Sequence, residues 1–405
     1  MDKVRNHSIF VETNLTILYS GLNTLVSIIF FGYAARICDI SNFGLELQII
    51  TAAGAMAGLL DFGTTYFYLR ELSSGRVNAK TVLGALIGRS IIILICTAPI
   101  AIFGLISSRM YLIEFVLLLN AQMLLQFTSI ILRANGNTSI LSRSMLLERS
   151  LSLVVLIAFL KYNQNPPFSL VIACTTLIVS IIQIYSSVTA IKFKDLVNYI
   201  VWNPWHNSLG IGSTQILSQI QQLDLNLLAL LSNTTSAATY GAVSRWTNAM
   251  GVFAGGFSQS IMPSASRESF DKSEIRELRK ASVWLVMAIL SSVLIYIFAS
   301  RIVAIVLGTK YSDSAGILRV LAVAAVASTF TQPIATYLQA KGLNLQVFRA
   351  LIIGIVVQIL MIVVTNSSLG AYSAAYGYLI GQFVAAILLL NSFAGYKRKR
   401  SINLL

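Results

Sequence analysis

Residues 281–300 read ASVWLVMAILSSVLIYIFAS, twenty side chains without one charge, bounded by Lys280 and Arg301. A helix needs roughly 20 apolar residues to cross the hydrocarbon of a bilayer, so this run is long enough to span on its own. Working outward, apolar runs between charged or Asn-, Gly- and Pro-containing breaks predict twelve helices. In the first half they cover about 14–35, 43–69, 82–106, 111–132, 147–161 and 168–190. In the second half they cover about 208–232, 237–262, 281–300, 314–339, 347–366 and 372–395. The composition agrees: 56% of the 405 residues are hydrophobic, 11% are charged, and the mean hydropathy is +0.77. A water-soluble domain carries roughly 25% charged residues, so this chain has too few to cover a soluble core.

Met1 to Glu12 is mixed in charge and precedes a full-length apolar run, which reads as a retained first helix and not a cleaved signal. With the N-terminus inside, 21 of the 29 Lys and Arg fall on cytoplasmic segments, Arg133, Arg143 and Arg149 among them, and 5 fall on the other side. Arg89, Arg245 and Arg319 lie inside spans. That split places both termini in the cytoplasm. It also accounts for the formal charge of +14 without a nucleic-acid partner. The ends, such as Lys397 to Arg400, anchor to anionic membrane lipid.

Shifting the chain by 197 residues superimposes Gly44, Gly54, Gly58, Arg70 and Glu71 on Gly241, Gly251, Gly255, Arg267 and Glu268. A shift of 206 superimposes Gln126, Ala134, Gly136 and Arg143 on Gln332, Ala340, Gly342 and Arg349. Two six-helix lobes follow, related by a pseudo-two-fold along the membrane normal, with the substrate path between them. The expected boundaries are 1–191 for the first lobe, 192–207 for a cytoplasmic linker, and 208–405 for the second. Arg267 to Lys280, with interleaved acids, is expected to form a short cytoplasmic amphipathic helix.

At Leu59-Leu60-Asp61-Phe62-Gly63, followed by Arg70, the chain resembles the signature of the polysaccharide-export flippases, with Phe62 where the family has leucine. Gln222-Leu223-Asp224, then Tyr240-Gly241 and Arg245, resembles their seventh and eighth helices. Pro263 to Arg267, Leu307 to Tyr311 and Leu338 to Gly342 resemble further stretches, so the likeness spans nearly the whole chain. The resemblance implies an all-α membrane protein of the MOP superfamily, MATE-like, with about twelve transmembrane helices around a central cavity. It implies translocation of undecaprenyl-diphosphate-linked oligosaccharide, an O-antigen or other surface-polysaccharide repeat unit, across the bacterial inner membrane. Polysaccharide polymerase and chain-length proteins would be its partners.

The embedded charges are the candidate site. Residues equidistant from a turn sit at similar depth, which couples Asp224 with Arg245, Asp61 with Arg89, and Arg36 with Glu46. An ionised side chain at a helix centre costs about 2.5–3.5 kcal/mol on insertion scales, so such residues pair or line water. Two roles are open: arginine forks holding a diphosphate, or ion pairs joining helices, with Arg319 and Arg36 near enough to span ends to snorkel. The 208–232 span carries Ser213, Gln215, Ser218, Gln219, Gln221, Gln222, Asp224 and Asn226, which reads as a cavity wall for sugar hydroxyls. Pro99, Pro263 and Pro333 are candidate kinks.

No GxxxxGK[ST] loop, G-x-S-x-G elbow or His/Cys cluster occurs, so neither a catalytic residue, nor a metal, nor a cofactor is expected, and the chain does not read as an enzyme. His7 and His206 are the only histidines, and Cys38, Cys96 and Cys174 have no metal spacing. A polysaccharide polymerase or ligase, with its large external loop, fits poorly because every predicted outside loop is short. The rival reading is a cation-coupled multidrug antiporter on the same fold, which would want acidic and aromatic walls.

Overall fold

The computed structural model describes residues 2–73, 76–134, 138–160, 165–188, 199–206, 208, 212, 216–217, 219–246 and 283–402. Among them there is no β-strand. Eight described helices are long and apolar enough to cross a membrane, with a shorter apolar helix at Phe168–Ile184. The chain is a multi-pass membrane protein, and it divides into two compact units, Met1–Leu223 and Asp224–Leu405.

The first unit contains α1 (Asp2–Ile37), α2 (Ile40–Asp61), α3 (Thr64–Ser73), α4 (Ala79–Ile106), α5 (Met110–Ala134), α6 (Thr138–Leu160) and α7 (Phe168–Val188). Helix α5 is central, packing on α2, α3, α4 and α7, while α1 lies along α6. Asn78 starts α4 by accepting the Thr81 amide proton at 2.8 Å, satisfying one of the donors that every helix start leaves open.

The expected span 43–69 is divided in two. Phe62 (φ 45°, ψ 39°) and Gly63 (φ 74°) adopt the left-handed conformation, which no α-helix can pass through. The expected span 147–161 is only the second half of α6, which begins nine residues earlier and brings Arg143, Glu148 and Arg149 into the helix. Hydropathy averages such charges into a boundary; in the fold Glu148 accepts from Thr176, Arg149 stands over Phe30 and Phe31, and Arg143 is exposed.

The second unit contains α8 (Asp224–Leu231), α9 (residues 234–246), α10 (Val283–Val306), a single 3₁₀ turn (Thr309–Tyr311), α11 (Ser314–Ala340), α12 (Asn344–Leu369) and α13 (Ala371–Ile402). The expected span 208–232 is interrupted at Gln222 and Leu223, whose amides donate to Gln219 and Ile220 in tight turns before α8 begins. Helices α12 and α13 cross at glycines. A Cβ on Gly354 would meet the Gly381 carbonyl at 2.8 Å, and one on Gly381 would meet the Gly354 carbonyl at 2.7 Å. Small residues let backbones approach where lipid supplies no hydrophobic drive. Helix α11 is mostly buried within its unit, whereas α10 leaves Val286, Leu290, Val293, Leu294 and Ile297 exposed, an apolar face suited to lipid. Pro99 and Pro333 both sit inside helices that continue past them.

Residues 192–198 of the expected linker, the expected span beyond 246, Pro263 to Arg267 and the amphipathic segment up to Lys280 lie outside the described residues.

Candidate functional site

Asp61 ends α2 and serves the start of α3. Its carboxylate accepts from Thr64 Oγ1 (2.8 Å), Thr65 Oγ1 (2.6 Å) and the Thr65 amide (3.2 Å), and forms an ion pair with Arg89 of α4. Arg89 Nη1 also donates to Thr64 Oγ1 at 2.5 Å. Asp61 is 4% exposed and Arg89 0%, so this couple is sealed inside the first unit. Trp205 and Gly212 contact the residues on either side of Asp61. The Trp205 indole donates to the Leu60 carbonyl at 2.8 Å, a carbonyl that the helix break releases. Gly212 packs on Phe62, where a Cβ would meet the Phe62 carbonyl at 2.6 Å. Trp205→Phe, which removes one neutral hydrogen bond and keeps an aromatic ring, is expected to lower stability by about 1 kcal/mol, read as a shifted thermal midpoint in detergent.

Asp224 opens α8. Tyr240 Oη of α9 donates to Asp224 Oδ2 at 2.5 Å, the Leu225 amide donates to Oδ1 at 2.7 Å, and Gln358 of α12 approaches Oδ2 at 3.4 Å. Arg245, five residues beyond Tyr240 on α9, is half-buried. Glu46, expected to couple with Arg36, is held by α7 and lies beside Glu114. The Ser169 amide donates to Glu46 Oε2 at 2.7 Å, and Ser169 Oγ donates to Glu114 Oε2 at 2.9 Å. The start of α7 thus bridges carboxylates from α2 and α5, beside a cavity of about 220 Å³ lined by Asn42, Glu46, Glu114 and Asn165. Arg36 lies exposed in the last turn of α1. Arg319 donates to Ser300 Oγ at 2.8 Å on an exposed face. Gln219 fills the space that Gly58 leaves, since a Cβ there would lie 2.2 Å from its Cδ, and Gln222 is exposed in the turn before α8.

Sequence reasoning missed Glu114, Glu148 and Arg149. Glu148 is 5% exposed and accepts from Thr176 Oγ1 of α7 at 2.8 Å, while Arg149 stands over Phe30 and Phe31 of α1. Arg149, assigned by charge counting to a cytoplasmic segment, is therefore part of the helix packing. The missed signal was the polar series on α7: Ser169 reaches Glu114, Thr175 pairs with Ser152 at 2.7 Å, Thr176 reaches Glu148, and Gln183 bonds both Thr128 and Ser144. Hydroxyls and amides spaced along an apolar helix need partners in the neighbouring helices. Among the described residues no three His, Cys, Asp or Glu side chains converge to hold a metal.

No protein-family profile and no curated protein sequence matches the chain. Solved structures do. One is described as an inward-facing multidrug resistance MATE family transporter of the MOP superfamily, with TM-score 0.67 and 16% identity over 96% of this chain and 99% of that one. A MOP superfamily transporter from Pyrococcus furiosus, described as having a binding pocket of reverse polarity, gives 0.63 and 17% over 98% and 96%. The lipid II flippase MurJ, in an inward closed conformation, gives 0.65 and 16% over 96% and 87%. At such identities the likeness speaks for architecture, and the chain has the fold of the MATE and MOP-superfamily transporters.

Proposed function

We propose that the chain is a flippase for undecaprenyl-diphosphate-linked oligosaccharide, a surface-polysaccharide repeat unit, working by alternating access in the bacterial inner membrane with both termini cytoplasmic. The observation that carries this reading is the state of the carboxylates. Asp61, Glu46, Glu114, Glu148 and Asp224 each accept hydrogen bonds from the chain's own hydroxyl or amide groups, and Asp61 is neutralised by Arg89 as well. Asp61, Glu148 and Asp224 are committed in this way to the fold, and among these described acids only Glu46 and Glu114 also line a cavity, whereas a diphosphate needs guanidinium groups. The motifs around Asp61 and Asp224 resemble the polysaccharide-export flippases, and one structural neighbour is itself described as a lipid II flippase. Arg245 is the group we assign to the diphosphate, while the polyprenyl tail stays in lipid. Arg89, enclosed with Asp61, serves the fold in this conformation.

A strain lacking the chain is expected to accumulate undecaprenyl-linked oligosaccharide on the inner leaflet and to lose surface polysaccharide. Arg245→Ala is expected to reproduce that loss with an unchanged amount of protein in the membrane. Polysaccharide that persists in the deletion strain overturns the reading. The cavity beside Glu46 and Glu114 favours a second reading, a cation-coupled drug antiporter. Under it the deletion strain would become drug-sensitive and keep its polysaccharide.

A further inference from the structure

Two embedded arginines of the first unit are held in opposite ways. Arg89 meets a carboxylate, so its charge is cancelled where it lies. Arg149 meets none among the described residues: its guanidinium carbon stands 5.9 Å from the ring centres of both Phe30 and Phe31, and Nε and Nη1 are buried with no hydrogen-bond partner there. The two rings are themselves edge to face, 85° apart at 5.1 Å, so they form a corner against which the guanidinium rests. Their negative faces attract the cation without removing its charge. Glu148, the adjacent acid, is committed to Thr176 on α7, whereas Arg149 faces α1.

The depth matters. Phe30 and Phe31 lie within the Leu18–Ile37 span. At about 1.5 Å per residue they sit roughly 18 Å from one end and 9 Å from the other. An arginine with net charge and unused N–H groups at that depth is costly unless something anionic visits it. Its planar fork matches the oxygens of a phosphate, and it stays protonated at any working pH.

We propose that Arg149 is an anion-binding residue of the first unit for phosphate-class ligands, with Phe30 and Phe31 as its resting place when no ligand is bound. It rests on the flippase reading for the ligand's identity, the diphosphate of a polyprenyl lipid, and the same chemistry would also take free pyrophosphate.

The test uses the full chain in detergent and in phosphatidylethanolamine vesicles, with inorganic pyrophosphate and undecaprenyl diphosphate as probes. The wild type is expected to bind both, and Arg149→Gln to bind each about 10- to 100-fold more weakly, the worth of a charged hydrogen bond or two. Arg149→Lys keeps the charge, and with it the fold, but replaces the fork by a point charge; about tenfold weaker binding is expected. Undiminished affinity in both variants overturns the assignment, as does a wild type that binds neither probe. A wild type that binds pyrophosphate but ignores the lipid leaves Arg149 as an anion site and removes the flippase reading. Full polysaccharide export in the Arg149→Gln strain removes the site and leaves the flippase.

Discussion

Arg89→Ala is expected to destabilise the first unit by about 3–5 kcal/mol, because it leaves Asp61 ionised and enclosed without its counter-charge. The lower end of that range is favoured, since Thr64 and Thr65 still donate to the carboxylate. Asp61→Asn should cost a similar amount for the mirrored reason: it strands a guanidinium that is 0% exposed. The double variant Asp61→Asn with Arg89→Met removes both charges, and the asparagine oxygen still accepts at the start of α3. It should recover all but about 1 kcal/mol, the worth of a weakened helix cap. Unfolding midpoints of these proteins, with Arg89→Met alone added to close the cycle, are measured in one detergent. Single variants that each lose less than about 1 kcal/mol would mean that the couple is hydrated, and that the enclosed picture is wrong.

Substitution of the glycines on α4 carries the second large effect. A Cβ on Gly84 would lie 1.9 Å from the Tyr199 carbonyl oxygen, and one on Gly88 would lie 2.3 Å from that of Val201. Both obstacles are backbone, so no rotamer change relieves them, and the crossing segment must lift. Overpacking usually costs about 1–3 kcal/mol. Gly84→Ala is expected at about 3 kcal/mol, even though alanine improves a helix interior by about 1 kcal/mol. Faster amide exchange at residues 199–202 would report the lifted segment. Because Gly88 adjoins Arg89, Gly88→Ala should also loosen the Asp61 couple and lower the cost of Arg89→Ala when the two are combined. Gly104 on the same helix is the milder case: its Cβ would meet Leu112 Cβ, Ile113 Cγ1 and the Arg109 carbonyl oxygen at 3.1, 3.2 and 3.3 Å, a crowding of only a few tenths of an ångström. Gly104→Ala should cost clearly less than Gly84→Ala. A neutral Gly84→Ala would show that the segment does not rest on α4 as described.

The Asp61–Arg89 couple is legible in the sequence, because hairpin geometry ties distance from a turn along the chain to depth in the bilayer. The same arithmetic does not find the partners of Glu46. Ser169 and Glu114 lie on helices far from it in the chain, and a match in depth says nothing of which neighbour they touch. The break at Phe62 is readable as a motif and unreadable as geometry, since phenylalanine rarely takes a positive φ. It holds because Asp61, Trp205 and Gly212 surround it with partners that a helix would not need.

Hydropathy and the tally of basic residues, both simple sums along the chain, are enough to establish a helical protein crossing the membrane many times. Burial in hydrocarbon depends on how many apolar groups follow one another, and order along the chain records that. Which way each helix turns is another matter. An apolar helix looks alike from every side to a lipid, so the rotation that sets Arg149 on Phe30 and Phe31, and Glu148 on Thr176, comes only from close packing with α1 and α7. That rotation separates a charge cancelled inside the fold from one left available to a ligand, and only the folded arrangement decides it.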